Sequence, residues 1–146
     1  KFDIKWEQIE AFEPNLDIWA ISTYPYFVFP SGEEIPADYY SPLLTRTSKL
    51  VAVAEGGFSS EAFAQFTNTP EDQVAYLNAI HNQLGPRLAF WVNTLLSDLN
   101  IDSYAKEMGN SEDATMLGNF AYIGIQNADG SPKPVLEVWD SFRKNK

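Results

Sequence analysis

A carboxylate at the end of an otherwise apolar strand is the feature of this sequence that holds most chemistry. Glu55 closes the run Leu50-Val51-Ala52-Val53-Ala54 and is followed at once by Gly56-Gly57. The carboxyl end of a parallel strand opens onto the crevice where such folds bind ligands, so a Glu there is placed to act on a bound substrate. Two glycines beyond it let the backbone turn sharply and leave room for that substrate. Because side chains alternate across a strand, a Glu55 that faces the crevice axis puts Val53 and Val51 on its own face and Ala52 and Ala54 toward covering helices. On the preceding strand Ala20, Ser22 and Tyr24 form the axial set, with Trp19 and Ile21 turned to the helices. On the following strand Leu88, Phe90 and Val92 suit the helical side, leaving Ala89, Trp91 and Asn93 on the axis. A carboxylate, a phenol, an indole and an amide then converge on one mouth through Glu55, Tyr24, Trp91 and Asn93.

The elements that must position these groups follow from hydrophobic pattern. Residues 16–24, 50–55 and 88–96 are nearly continuous apolar runs, the pattern of strands covered on both faces in a parallel sheet. Between the second and third, Thr69 is an N-cap, Pro70 a first helical residue, and Glu71 and Asp72 complement the helix dipole, while Gly85-Pro86 ends the segment. Val74, Tyr76, Leu77, Ile80 and Leu84 recur in it at helical spacing. Residues 35–44 are expected to form a short helix limited by Pro42. A long polar stretch over 98–131 follows the third strand, the turn Asn127-Ala128-Asp129-Gly130 lies within it, and a closing helix carries Val135, Leu136, Val138, Trp139 and Phe142. The order strand, helix, strand, helix, strand, loop, helix implies an α/β fold with parallel strands and crossover helices. Residues 1–146 read as one domain, without repeats or low-complexity segments.

Composition removes several function classes. Ten Lys and Arg stand against twenty Asp and Glu, a formal net charge of −10 with no basic cluster. Nucleic acid and anionic membrane surfaces are therefore disfavoured, and neutral or cationic ligands favoured. The chain has no cysteine, which excludes disulfides, thiolate metal sites and a thiol nucleophile. No apolar run approaches the roughly 20 residues of a membrane-spanning helix. No phosphate-cradling glycine pattern, dinucleotide fingerprint or His-rich metal spacing occurs, so no cofactor and no metal is expected. Aromatic residues, at 14%, are abundant enough to supply flat apolar platforms. The lone His81 falls on the polar side of its helix and reads as a solvated residue. Asp98 and Asp102 flank the end of the third strand, within reach of ligand hydroxyls.

Four stretches carry a family resemblance: Leu16-Asp17-Ile18-Trp19-Ala20-Ile21-Ser22-Thr23-Tyr24-Pro25-Tyr26, Ile35-Pro36-Ala37-Asp38-Tyr39-Tyr40, Leu50-Val51-Ala52-Val53-Ala54-Glu55-Gly56-Gly57-Phe58-Ser59-Ser60 and Asp129-Gly130-Ser131-Pro132-Lys133-Pro134. Together they resemble the carboxyl-terminal half of a clan A glycoside hydrolase, nearest to the endo-galactanase-like branch of (β/α)8 TIM barrels. The resemblance implies that residues 1–146 are a partial domain, the last three β/α units of such a barrel. It also implies that Glu55 is the catalytic nucleophile, that Tyr24 lies beside it, and that Trp91 lies beneath the sugar. Tyr26, Phe58 and Asn93 complete the substrate-binding candidates.

The activity implied is retaining hydrolysis of a β-linked oligo- or polysaccharide. That reaction needs two carboxyl groups about 5–5.5 Å apart, and the family's acid/base lies on the fourth strand, outside this chain. Loss of that partner removes a factor of roughly 100–10,000, so the polypeptide alone is expected to be nearly inactive. The missing amino-terminal half, or a second copy, is the expected partner, and a secreted location with a removed signal peptide is the expected setting. The alternative is a non-catalytic carbohydrate-binding or interaction module with a barrel-like aromatic cleft.

Overall fold

The computed structural model describes residues 4–108 and 112–144. In chain order its elements are α1 (Trp6–Glu10), β1 (Ile18–Thr23), α2 (Ser41–Leu44), β2 (Leu50–Gly56), β3 (Ala62–Phe63), β4 (Phe66–Thr67), α3 (Pro70–Leu84), β5 (Leu88–Trp91), α4 (Ile101–Met108), α5 (Glu112–Gly118) and α6 (Pro134–Lys144). Strands β1, β2 and β5 lie side by side in that order, and both pairings are parallel. The α/β class and the order of the three strands are those the apolar runs imply. The helix expected over 35–44 shrinks to the single turn of α2, with Pro42 in its first turn, because proline suits only the start of a helix. The polar stretch over 98–131 contains α4 and α5, for which its composition gave no periodic signal.

Helix α3 starts where its capping residues dictate. The Thr69 hydroxyl accepts the Asp72 N–H at 3.4 Å, and Asp72 Oδ2 accepts the Thr69 N–H at 2.9 Å, a reciprocal capping box. Asp72 is buried, and its other oxygen accepts the Gly32 N–H at 2.9 Å. The cap therefore also fastens the turn over 32–34 onto the helix. From this start α3 buries Tyr76, Leu77, Ile80 and Leu84 completely, in one cluster with Trp19, Val51, Val53 and Val135. Helix α6 adds Trp139 and Phe142 to the flank of that cluster.

The amino ends of the strands are closed by cations donating to main-chain carbonyls. Arg87, just before β5, donates to Leu44 O at 2.8 Å, to Thr47 O at 2.6 Å and to Lys49 O. Lys49, just before β2, donates to Leu16 O at 2.5 Å and to Glu13 O, and pairs with the Glu13 carboxylate. The approach to each strand is thus tied to the approach to its neighbour.

The register of β2 against β1 slips once. Ile18, Trp19, Ala20 and Ile21 pair in turn with Leu50, Val51, Ala52 and Val53, but Ser22 pairs with Glu55, leaving Ala54 as the extra residue of a bulge. A second slip, between β2 and β5, pairs Val51 with Leu88 but Ala52 with Phe90. These two slips correct the sequence-based parity. Val51 and Val53 belong to the helix-side core with Trp19 and Ile21. On β5, Trp91 lies on that same side and Phe90, 46% exposed, does not. Glu55 nevertheless shares the open face of Ala20 and Ser22, because the bulge reverses the alternation just before it.

The double duty of Asp72 sets an expectation. Asp72→Ala strands two main-chain N–H groups and should lower the unfolding free energy by about 2–4 kcal/mol. Thr69→Ala, which removes only the cap hydroxyl, should cost about 1 kcal/mol. Urea titrations followed by circular dichroism compare the two.

Candidate active site

Glu55 reaches the carboxyl end of the sheet with hydroxyl groups around it. Tyr24 Oη donates to Glu55 Oε1 at 2.5 Å, and Ser22 Oγ approaches Oε2 at 3.4 Å. Ser22 stands opposite Glu55 through the bulge, and Tyr24 is the second residue beyond it in the chain. The Tyr24 ring is held edge-on by Phe120, with centroids 5.2 Å apart, and by Phe27 at 6.3 Å. Burial and then the bond to Glu55 push the Tyr24 phenol up to about 12. The phenol therefore keeps its proton at neutral pH and donates it to the carboxylate.

Thr94 completes this group and was absent from the sequence-based candidates. Its Oγ1 lies 2.8 Å from Tyr24 Oη and accepts the Gly56 N–H at 2.9 Å. Its own N–H donates to Gly56 O at 2.9 Å, so the β2–β5 ladder continues past the end of the strand. Phe90, Val92 and Thr94 alternate onto the open face, the reverse of the sequence-based assignment, because the slip at Ala89 shifts the parity.

The other candidates stand elsewhere. Trp91 packs against Trp139 with centroids 4.8 Å apart and meets the edge of Tyr76 at 6.3 Å, so its ring belongs to the layer between β5 and helices α3 and α6. Its buried indole N–H meets no acceptor among the described residues. The ring's large area is better covered between two helices than on an open face, and that outweighs the assumed alternation. Phe58 is fully buried against Tyr26 and Tyr76. Tyr26 is 2% exposed and donates to Asn119 O at 2.9 Å, and burial holds its phenol far above its ordinary value. Asn93 donates to Leu95 O at 2.8 Å and Ile123 O at 2.9 Å, which turns its amide to the loop rather than the mouth. Of the six residues singled out from the sequence, the structure brings Glu55 and Tyr24 together. Tyr26, Phe58, Trp91 and Asn93 form the packing behind them.

The glycines after Glu55 serve close approach rather than a turn. A Cβ on Gly56 would stand 2.6 Å from Tyr76 Oη, and one on Gly57 would stand 2.9 Å from Ile123 Cβ. The room beside them is filled by protein, not left for substrate.

Asp98 is a correction of the same kind. It lies buried against Lys133, Nζ to Oδ2 at 2.5 Å, and Lys133 also donates to Ser60 Oγ at 2.7 Å. Asp98 Oδ1 accepts the Gly124 N–H at 2.9 Å. Burial raises the Asp98 carboxyl and lowers the Lys133 ammonium, while their mutual attraction opposes both shifts. The pair binds the loops after β2 and β5 to the start of α6. Asp102 stays exposed in the first turn of α4. His81 is exposed as expected, with its ring stacked on Phe142 at 4.1 Å. Among the described residues no acidic, His or Cys cluster is suited to a metal.

Two expectations follow from this chemistry. The Tyr24 proton is raised from an unfolded value of 10 to about 12, so the stabilisation it reflects is complete below pH 10 and lost as pH climbs through 12. Ultraviolet difference titration against Tyr24→Phe should place this ionisation near pH 12, and Glu55→Gln should bring it down while leaving the contribution of burial. Lys133→Met leaves the Asp98 carboxylate buried without its counterion, and should lower the unfolding free energy by about 3–5 kcal/mol. Adding Asp98→Leu to that variant should recover most of the loss, as read by urea unfolding.

Comparison with known proteins gives a fold. No protein-family model matches the sequence, and no curated protein sequence matches it. Solved structures do. A β-glucuronidase from an uncultured Clostridium sp. superposes with a TM-score of 0.61 at 16% identity over 88% of this chain and 23% of its own. The Faecalibacterium prausnitzii β-glucuronidase gives 0.63 at 14% identity over 92% of this chain and 23% of its own. An active-site mutant of the Rhizomucor miehei β-1,3-glucanosyltransferase in complex with laminaritriose gives 0.54 at 18% identity, over 86% and 44%. The chain spans less than half the length of each. Its parallel strands and helices have the α/β fold of a portion of a (β/α)8 barrel.

Proposed function

We propose that this chain is the nucleophile-bearing part of a retaining glycoside hydrolase that acts on a β-linked oligo- or polysaccharide. The observation that carries the reading is Glu55 on the open face at the carboxyl end of β2, its Oε1 accepting the Tyr24 phenol at 2.5 Å. In this reaction a Glu55 oxygen attacks the anomeric carbon as the bond from that carbon to the leaving oxygen breaks. The leaving oxygen takes the electron pair and a proton from an acid. Water, deprotonated by the same group acting as base, then releases the sugar from Glu55. Tyr24 contributes by holding the carboxylate in place before the attack and by stabilising its charge again as the second step releases it from the sugar.

The groups bonded to Glu55 here are hydroxyls, so the reading takes the acid/base from a segment outside this chain. Such a segment has a place to dock. Beyond β1 runs an apolar groove lined by Trp6, Ile9, Leu16, Trp19, Ile21 and Leu43, beside the strand edge that β2 leaves unpaired. The amino-terminal half of the barrel is the proposed occupant, and a second copy of the chain the alternative.

A neutral sugar polymer of the galactan kind is the proposed substrate, with endo cleavage. The net charge of −10 disfavours an anionic one. A secreted enzyme goes with such a substrate. An activated deoxyfluoro β-galactoside with a dinitrophenolate leaving group needs no acid, so it tests Glu55 without the missing partner. One covalent adduct on the Glu55 peptide, lost in Glu55→Gln, is expected by mass spectrometry. Binding of β-galacto-oligosaccharides in calorimetry without any adduct would replace the reading by a non-catalytic sugar-binding module.

A further inference from the structure

Thr94 joins the end of β5 to Tyr24, the close partner of the candidate nucleophile, and to the backbone of Gly56 next to it, and the hydrogen count fixes the direction in which its bonds run. Tyr24 Oη has one hydrogen, and the 2.5 Å contact commits it to Glu55 Oε1. The lone pairs of that oxygen are then the acceptor in the 2.8 Å contact with Thr94, whose hydroxyl must be the donor. The other acceptor within reach of the Thr94 hydroxyl, Gly56 O, is farther at 3.1 Å and already takes the Thr94 N–H. Thr94 Oγ1 in turn accepts the Gly56 N–H at 2.9 Å.

We propose that Thr94 is a positioning residue for Glu55, acting through a closed relay from the Gly56 N–H to the Thr94 hydroxyl, from there to the Tyr24 phenol, and from the phenol to Glu55 Oε1. This rests on the reading of Glu55 as nucleophile. The relay begins and ends on adjacent residues of β2 and passes through the ends of β5 and β1, so the carboxylate is referenced to its own backbone by way of both neighbouring strands. All three donations run the same way, and each polarises the next. Oε1 is held by this relay, while among the described residues Oε2 meets only the 3.4 Å approach of Ser22. Oε2 is therefore the oxygen free to attack the anomeric carbon.

The relay is tested with Thr94→Val, which keeps the shape and removes the hydroxyl, and Thr94→Ser, which restores it. In protein carrying ring-carbon-labelled tyrosine, the Cζ resonance of Tyr24, assigned by its loss in Tyr24→Phe, should move in Thr94→Val and return in Thr94→Ser. It should also move in Glu55→Gln, and the two changes should not add. A Tyr24 resonance that answers to Glu55→Gln and is unmoved by Thr94→Val would overturn the relay. The activated deoxyfluoro galactoside gives the second measurement: labelling of Glu55 should slow about three- to tenfold in Thr94→Val and recover in Thr94→Ser. Equal labelling rates would remove the positioning role. If the unmodified chain takes no label, the glycosidase reading fails, and the resonance alone then decides whether Thr94 holds Glu55.

Discussion

A strand buried among apolar side chains resists ending in an ionised carboxylate, because the charge must leave the core within a residue or two of it. In this protein one surplus residue, Ala54, resolves the conflict. Val51 and Val53 point into the packing beneath α3, and strict alternation would send Glu55 after them. The bulge absorbs Ala54 and turns Glu55 to the other face, opposite Ser22. Everything at the candidate site depends on that reversal. Without it, Tyr24 would have no carboxylate to donate to, and the core would hold a charge with no counterion.

The packing behind the site is aromatic and closely fitted. Tyr26, Phe58, Phe66 and Phe27 make a chain of edge and stacked contacts from the end of β1 to the small β3–β4 hairpin. Rings of this kind fix the backbone beneath the mouth, and they do so at low entropic cost because each has only two side-chain torsions. The buried Asp98–Lys133 pair performs the corresponding task for the loops, at the expense of desolvating two charges. Both devices place rigidity immediately under groups that must keep their geometry while a substrate is bound.

Much of the fold was legible in the amino-acid order because it rests on local physics. Three apolar runs, a Thr-Pro-Glu-Asp cap and a Gly-Pro stop define β1, β2, α3 and β5 without reference to distant contacts. The facing of individual residues was less legible, for a reason seen at two positions. A bulge at Ala54 or Ala89 leaves no mark in composition, since alanine suits a regular strand equally well, yet each reverses every assignment beyond it. Counting along the strand puts Trp91 at the mouth, whereas tertiary packing with Trp139 puts it under the helices. Glu55 reached the correct face although Val51 and Val53 did not share it. Thr94 carries no mark in the sequence, because a hydroxyl residue in a loop becomes informative only when its partners, 38 and 70 positions away, are known.

The carbonyl clamp made by Arg87 at the opposite end of the sheet has a bearing on that bulge. An extra residue in a strand can in principle be expelled by sliding the strand one step along its neighbours, which restores the regular ladder. Arg87 grips Lys49 O, immediately before β2, together with Leu44 O and Thr47 O. With the lower end of β2 anchored and its upper end held by the Thr94 bonds to Gly56, the strand has no direction in which to slide. The irregularity is trapped between two fixed points, as slack is trapped in a line made fast at both ends, and the carboxylate it presents is correspondingly hard to retract.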